Sequence, residues 1–125
     1  MTMAVKSNWY GDEAKARARE GGARGIAKWA LELLAASQPL VPVSPRTGGG
    51  MLRDSGRTQV DAAEMIAAVS YDGPGDKPSL PIWVHENLSM QHDTGQAKFL
   101  EEPLNASRPT GPATVAEEIH ANLGV

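Results

Sequence analysis

The chain contains no cysteine, which removes disulfides, thiolate metal sites and cysteine nucleophiles together. Aromatic residues are scarce, with three Trp, two Tyr and a single Phe, so large side chains for a core are few. No apolar run approaches the roughly 20 residues that span a bilayer. The first residues, Met1 to Asn8, lack the apolar stretch of a signal peptide. A protein made and kept in the cytoplasm, or in a particle assembled there, is the expectation. A basic excess is missing too. The formal net charge is −3 and the pI about 5.6, whereas proteins that hold nucleic acid show a basic patch or stripe. Arg17, Arg19 and Arg24 interleave with Glu13 and Glu20, the pattern of a solvated helix face.

What the chain does have is glycine (13) and proline (9), so irregular connections should be many. Its 125 residues fit one compact domain. Such a domain buries about two-thirds of the surface its unfolded chain exposes. With few large hydrophobes, it gains further from burying surface against neighbours.

Met1 to Tyr10 reads as a short arm. From about Asp12 the pattern is helical: Ile26, Trp29, Ala30, Leu33 and Leu34 recur three and four apart. Gly21, Gly22 and Gly25 weaken the middle by up to about 1 kcal/mol each, which predicts a bend or a break into two helices. Pro39, Pro42 and Pro45 end the helix and begin a long loop running to Gly50. Thr58 to Val60 is a weak strand, and Met65 to Tyr71 a better one by its alternation. Pro81 to His85 reads as a short strand, with Ile82 and Val84 on one face and Trp83 and His85 on the other. Gln96 to Asn105 predicts a short helix carrying Phe99, Leu100 and Leu104 inward, with Pro103 marking a kink or a new turn at Glu102. Thr114 with Glu117 fits a capping box for a final helix, striped by Val115, Ile119 and Leu123. The fold class expected is α+β: a long N-terminal helix packed on a small antiparallel sheet, with short C-terminal helices. The core should hold Ile26, Trp29, Leu33, Val69, Phe99, Leu100 and Leu104. One domain over 1–108 and a helical extension over 109–125 is the organisation expected.

Motifs for catalysis are thin. His85-Glu86 invites comparison with His-Glu-x-x-His, but Ser89 stands where the second histidine belongs and His92 comes three residues later. A zinc site on His85, Glu86 and His92 is conceivable only across a loop. Asp54-Ser55-Gly56 lacks the setting of a nucleophile elbow. Thr47-Gly48-Gly49-Gly50 is followed by Met51-Leu52-Arg53 and not by the Gly-Lys-Ser/Thr of a phosphate loop. No cofactor, metal site or enzymatic activity is expected.

The order of the remaining signals is more informative. Thr47-Gly48-x-x-Met51-Leu52-Arg53-x-Ser55 is followed by Val69-Ser70-Tyr71-Asp72, then Ile82-Trp83-Val84-His85-Glu86, and then Gly95-Gln96-Ala97-Lys98-Phe99-Leu100-Glu101-Glu102-Pro103-Leu104. Over about residues 24 to 105 this resembles the head–tail joining, or tail-completion, proteins of siphophages, often labelled minor capsid or tail-component proteins. Leu80-Pro81 replaces the tyrosine-alanine that the family places before the histidine-glutamate pair, and Pro74 to Ser79 lengthens the preceding loop. The resemblance implies a non-catalytic structural protein of the virion neck or tail, forming a ring with itself (a hexamer, matching the sixfold tail) and contacting adjacent neck and tail proteins. DNA passes through such a ring without sequence-specific recognition. The interface residues it implies are Trp9, Tyr10, Arg46, Met51, Arg53, Trp83, His85 and Glu86, with the N-terminal arm and the 39–50 loop ordered by neighbours. The alternatives are a tail-terminator ring, a small metal-dependent enzyme and a DNA-contacting module; the acidic pI argues against the last.

Overall fold

The computed structural model describes residues 1–4, 11–43, 50–75, 77, 79–89 and 95–124. Its first element is one unbroken helix, α1 (Gly11–Ser37). Asp12 and Glu13 in its first turn favour the positive end of the helix dipole. Exposed ion pairs Glu13–Arg17 (2.7 Å) and Glu20–Arg24 (2.8 Å) bridge successive turns. The expected break at the glycines does not occur, because Gly21, Gly22 and Gly25 are buried and other elements pack directly on them. A Cβ at Gly25 would lie 2.6 Å from Val115 Cα, and one at Gly21 2.7 Å from Ile119 Cα. The glycine row is a groove, and burial along it offsets the weak local propensity.

The partner in that groove is α5 (Gly111–Leu123), the C-terminal helix. Its Val115 and Ile119 are four apart and meet Gly25 and Gly21 in turn. Asn122 Nδ2 donates to the Arg17 carbonyl at 2.6 Å, and Lys28 pairs with Glu118 at 3.6 Å. Thr114 does not cap α5: it lies inside the helix, which begins one turn earlier, with Pro112 in its first turn and Thr110 at the N-cap without a side-chain capping bond. Proline is pre-shaped for that place, and it moves the start upstream of the capping-box pattern.

A 3-10 turn (Gln38–Leu40) follows α1, and a short helix α2 (Met51–Asp54) precedes the hairpin. Arg53 ties the two: its Nη2 donates to the carbonyls of Val41 (2.7 Å) and Pro39 (3.1 Å), and its Nε to Val41 (3.2 Å). Strands β1 (Gly56–Asp61) and β2 (Ile66–Tyr71) pair antiparallel, from Gly56 opposite Tyr71 to Asp61 opposite Ile66. Met65 lies in the turn rather than the strand, because its φ of 55° is left-handed. Ala67, Val69 and Tyr71 turn inward, as the alternation requires, and α1 packs across both strands.

The segment expected as a strand at Pro81–His85 is a helix, α3 (Leu80–Glu86). Five alternating residues cannot distinguish the two periodicities. Pro81 suits a first helical turn but would remove a ladder hydrogen bond. The consequence is a different partition of faces. Pro81 and Val84 are buried, while Ile82 and Trp83 are both exposed. The next helix, α4 (Glu101–Ser107), starts five residues later than the expected Gln96. Lys98, with φ 56°, turns the chain first. Pro103 then falls in the first turn of α4, where its missing N–H is not needed.

The main core is built from Val41, Leu52, Tyr71, Val84 and Phe99, with Leu34, Leu40, Val69, Leu80 and Leu100 packed against it. Leu33 is buried, and Phe99 is 2% exposed. Ile26, Trp29 and Leu104 are half-buried and lie outside this cluster. Trp29 instead lies against Gly111, where a Cβ would come within 2.1 Å of the indole, and its Nε1 donates to Ser107 Oγ at 2.9 Å. Ser37, fully buried at the end of α1, shares a 2.6 Å hydrogen bond with the Tyr71 hydroxyl and donates to the Leu34 carbonyl. The architecture is α+β, and no helix among the described residues is long and apolar enough to cross a membrane.

Candidate functional site: a polar cluster beside an exposed helix face

Phe99 organises the most distinctive surface. Tyr71 meets its ring edge-on at 5.3 Å and His85 does the same at 5.0 Å, both near perpendicular. The chain reaches Phe99 through a tight approach at Gly95. Its φ is 82° and a Cβ there would meet the Leu40 carbonyl oxygen at 2.6 Å, while Gln96 N–H donates to that same carbonyl. Only glycine fits such a place. Lys98 N–H then donates to the His85 carbonyl at 2.8 Å, which fastens the turn to α3.

Both ring nitrogens of His85 are engaged. Nε2 accepts from the Glu101 N–H at 3.2 Å, and Nδ1 lies 2.9 Å from Glu86 Oε1. A tautomer with its proton on Nδ1 matches both contacts, since Nε2 then accepts and Nδ1 donates to the carboxylate. Neither nitrogen is left to bind a metal or carry a proton to a substrate. Glu86 also holds the Lys98 ammonium, which in turn lies 3.4 Å from Glu101. The Lys98 ammonium, and then His85, hold the Glu86 carboxyl below the usual carboxylate range. Glu86 raises the Lys98 ammonium above its ordinary value. Burial pushes the Tyr71 hydroxyl up, against the hydrogen bond it shares with Ser37. Among the described residues no three His, Asp or Glu side chains are grouped to hold a metal ion.

Beside the cluster is a shallow, mostly apolar pocket of about 200 Å³, lined by Tyr71, Pro81, Ile82, His85, Glu86, Phe99 and Leu100. Its rim continues into the outer face of α3, where Ile82 (71%), Trp83 (53%) and the following Leu88 (75%) are exposed.

The fold therefore brings together His85 and Glu86, with Trp83 on the neighbouring face. Met51 is exposed on α2. Arg53 is not free for an interface, since its guanidinium is spent on the carbonyls of Val41 and Pro39. Trp9, Tyr10, Arg46 and His92 lie outside the described residues, as do most of the arm and loop expected to reach neighbours. Sequence reasoning missed Lys98 and Glu101 as members of the cluster. Their three-residue spacing was visible, but the approach of Glu86, twelve residues before Lys98, depends on the fold. No protein-family model matches the chain, and no curated protein or solved structure shows significant similarity to it.

Proposed function

We propose that this chain is a structural, non-catalytic subunit of a tailed phage, a ring-forming component of the head-to-tail connector (neck) or tail-completion complex. In this reading six copies form the ring, and neighbouring neck and tail proteins stack on it in the virion. The observation that carries the reading is the outer face of α3. Ile82 and Trp83 stand exposed there, followed by the exposed Leu88 just past the helix end, beside a charged rim of Glu86, Lys98 and Glu101. An apolar centre with a polar rim is the anatomy of a protein–protein contact, and tryptophan is prominent among residues that anchor one. The same stretch carries most of the resemblance to the joining proteins. A catalytic reading finds less support, because the imidazole of His85 is consumed by two structural hydrogen bonds.

The test is microscopy of intact virions carrying a labelled copy of the chain. Density or label in a ring between capsid and tail tube is the expected result. Particles whose neck and tail assemble normally without this chain overturn the reading.

A further inference from the structure

Among the described residues the sheet has two strands, and each of them leaves one edge without a neighbouring strand. The outer edge of β1 is regular: its register with β2 runs without a bulge from Gly56 to Asp61. No backbone hydrogen bond from another described element covers it, and Arg57, Gln59, Val60 and Asp61 are exposed. Folded proteins usually blunt such an edge with lysine, proline or a bulge, because it is a template for another strand. β1 has none of these. Its sequence Arg57-Thr58-Gln59-Val60-Asp61 instead carries opposite charges at equal distances from Gln59.

We propose that β1 pairs antiparallel with β1 of a second copy of this chain, about a two-fold axis through Gln59. In that register Arg57 faces Asp61 of the second copy, twice by symmetry, and Gln59 faces its own counterpart. Directly opposed side chains have Cβ atoms about 4.5–5.5 Å apart, within reach of an ion pair. These three residues share the face of the sheet away from α1, since the inward set of β2 is Ala67, Val69 and Tyr71. On the other face Thr58 is set against Val60 of the second copy, which covers a valine exposed in the single chain. The product is a continuous four-stranded sheet with both α1 helices on one side, an ordinary two-layer arrangement.

The charges select this register. Centring the axis on Thr58 sets Arg57 against Gln59, and centring it on Val60 sets Asp61 against Gln59; neither neutralises a charge. The edge of β2, from Ile66 to Tyr71, carries no charged residue and specifies no register. Arg57 already touches Ser70 (3.3 Å, from Nε) and Asp72 (3.0 Å, from Nη2), but a guanidinium has five donors. Asp61 gives one oxygen, Oδ1, to the Glu64 N–H and keeps the other for the second copy. The contact is independent of the ring reading, because a two-fold pairs identical surfaces whereas a ring joins different ones.

Sedimentation equilibrium of the full chain, from micromolar to millimolar concentration, should show reversible dimerisation. Asp61→Arg sets a second guanidinium against that of Arg57 and should weaken the dimer roughly tenfold. Adding Arg57→Asp should restore it. The double variant loses the contacts to Asp72 and Glu64 as well, so its recovery cannot come from repair of the hairpin. Gln59→Cys, the chain's sole cysteine, should cross-link two copies under mild oxidation, since facing Cα atoms about 4.5–5.5 Å apart suit a disulfide. Ala68→Cys, on the same face of β2, should not. A chain that stays monomeric, an association indifferent to Asp61→Arg, a double variant that fails to recover, or equal cross-linking through Ala68→Cys each overturns the proposal. A hexamer insensitive to Asp61→Arg overturns this contact while leaving the ring intact, and a two-fold dimer that is absent from virions does the reverse.

Discussion

A methyl group added at Gly25 should destabilise the protein even though it improves the helix. Propensity alone assigns Gly→Ala in a helix interior a gain of about 1 kcal/mol. The structure reverses the sign. The added Cβ falls 2.6 Å from Val115 Cα and 3.1 Å from both Val115 Cγ1 and its carbonyl oxygen. Carbon pairs rest at about 3.5–4.0 Å, so α5 has to withdraw from α1 by about 1 Å. The obstructing atoms are mostly backbone, which cannot rotate away. Overpacking of this kind costs about 1–3 kcal/mol, leaving a net loss of about 1 kcal/mol for Gly25→Ala. Gly25→Leu has almost the same propensity as alanine but more volume, and should lose about 3 kcal/mol or more as α5 lifts off. Gly75→Ala is the control: nothing lies within 4 Å of its added Cβ, and the change should be neutral or slightly stabilising through the unfolded chain. Urea and thermal unfolding of the three variants measure this, with Tm moving about 4 °C per kcal/mol for a chain of this length. If Gly25→Ala and Gly25→Leu both raise the midpoint, the glycines are not a packing groove and the reasoning fails.

Arg53→Lys keeps the charge but loses the fork that binds two carbonyls; a loss of about 1–3 kcal/mol in urea unfolding is expected, and no loss would mean that water replaces the guanidinium. Ser37→Ala leaves the Tyr71 hydroxyl without its buried partner and should cost about 1–3 kcal/mol. The double variant Ser37→Ala/Tyr71→Phe should cost less than the sum of its parts, and strict additivity in a thermodynamic cycle would contradict the pairing. Tyr71, raised by burial, stabilises the fold below the ordinary tyrosine range; that contribution should fade as pH rises through its raised folded value, and Tyr71→Phe should flatten the alkaline limb of the stability curve. For Glu86 the sign is opposite. Its lowered value means that its contribution is present above the usual carboxylate range and is lost as pH falls through the folded value. Glu86→Gln should return the Lys98 ammonium toward its ordinary pKa in an NMR titration, and an unmoved Lys98 would refute the pair.

Local pattern determined the elements whose signal is long or strictly alternating. The three-and-four spacing from Ile26 to Leu34 marked α1, and the alternation through Val69 and Tyr71 marked the inner face of β2, because one side of each element must be apolar to be buried. The same reasoning placed Leu33 and Phe99 in the interior. His85 and Glu86 were visible as a pair by adjacency, and Trp83 as a candidate interface residue of the same short segment. Tertiary structure decided the rest. Three glycines that weaken a helix in isolation become the groove that α5 fills, so α1 stays whole. Pro81 to His85 is too short for its period to be read, and it becomes helical because that buries Pro81 and Val84 together, which leaves Ile82 and Trp83 outside. Lys98 and Glu101 join His85 and Glu86 only because Gly95 lets the chain approach Leu40 closely enough to turn Phe99 into the core. Arg53, an interface residue by its position in the motif, is drawn instead to the carbonyls of Val41 and Pro39, whose positions no local pattern could supply. Spacing along the chain sets which face an element can bury, whereas the partner on that face, and so the surface left over for other proteins, is set by packing.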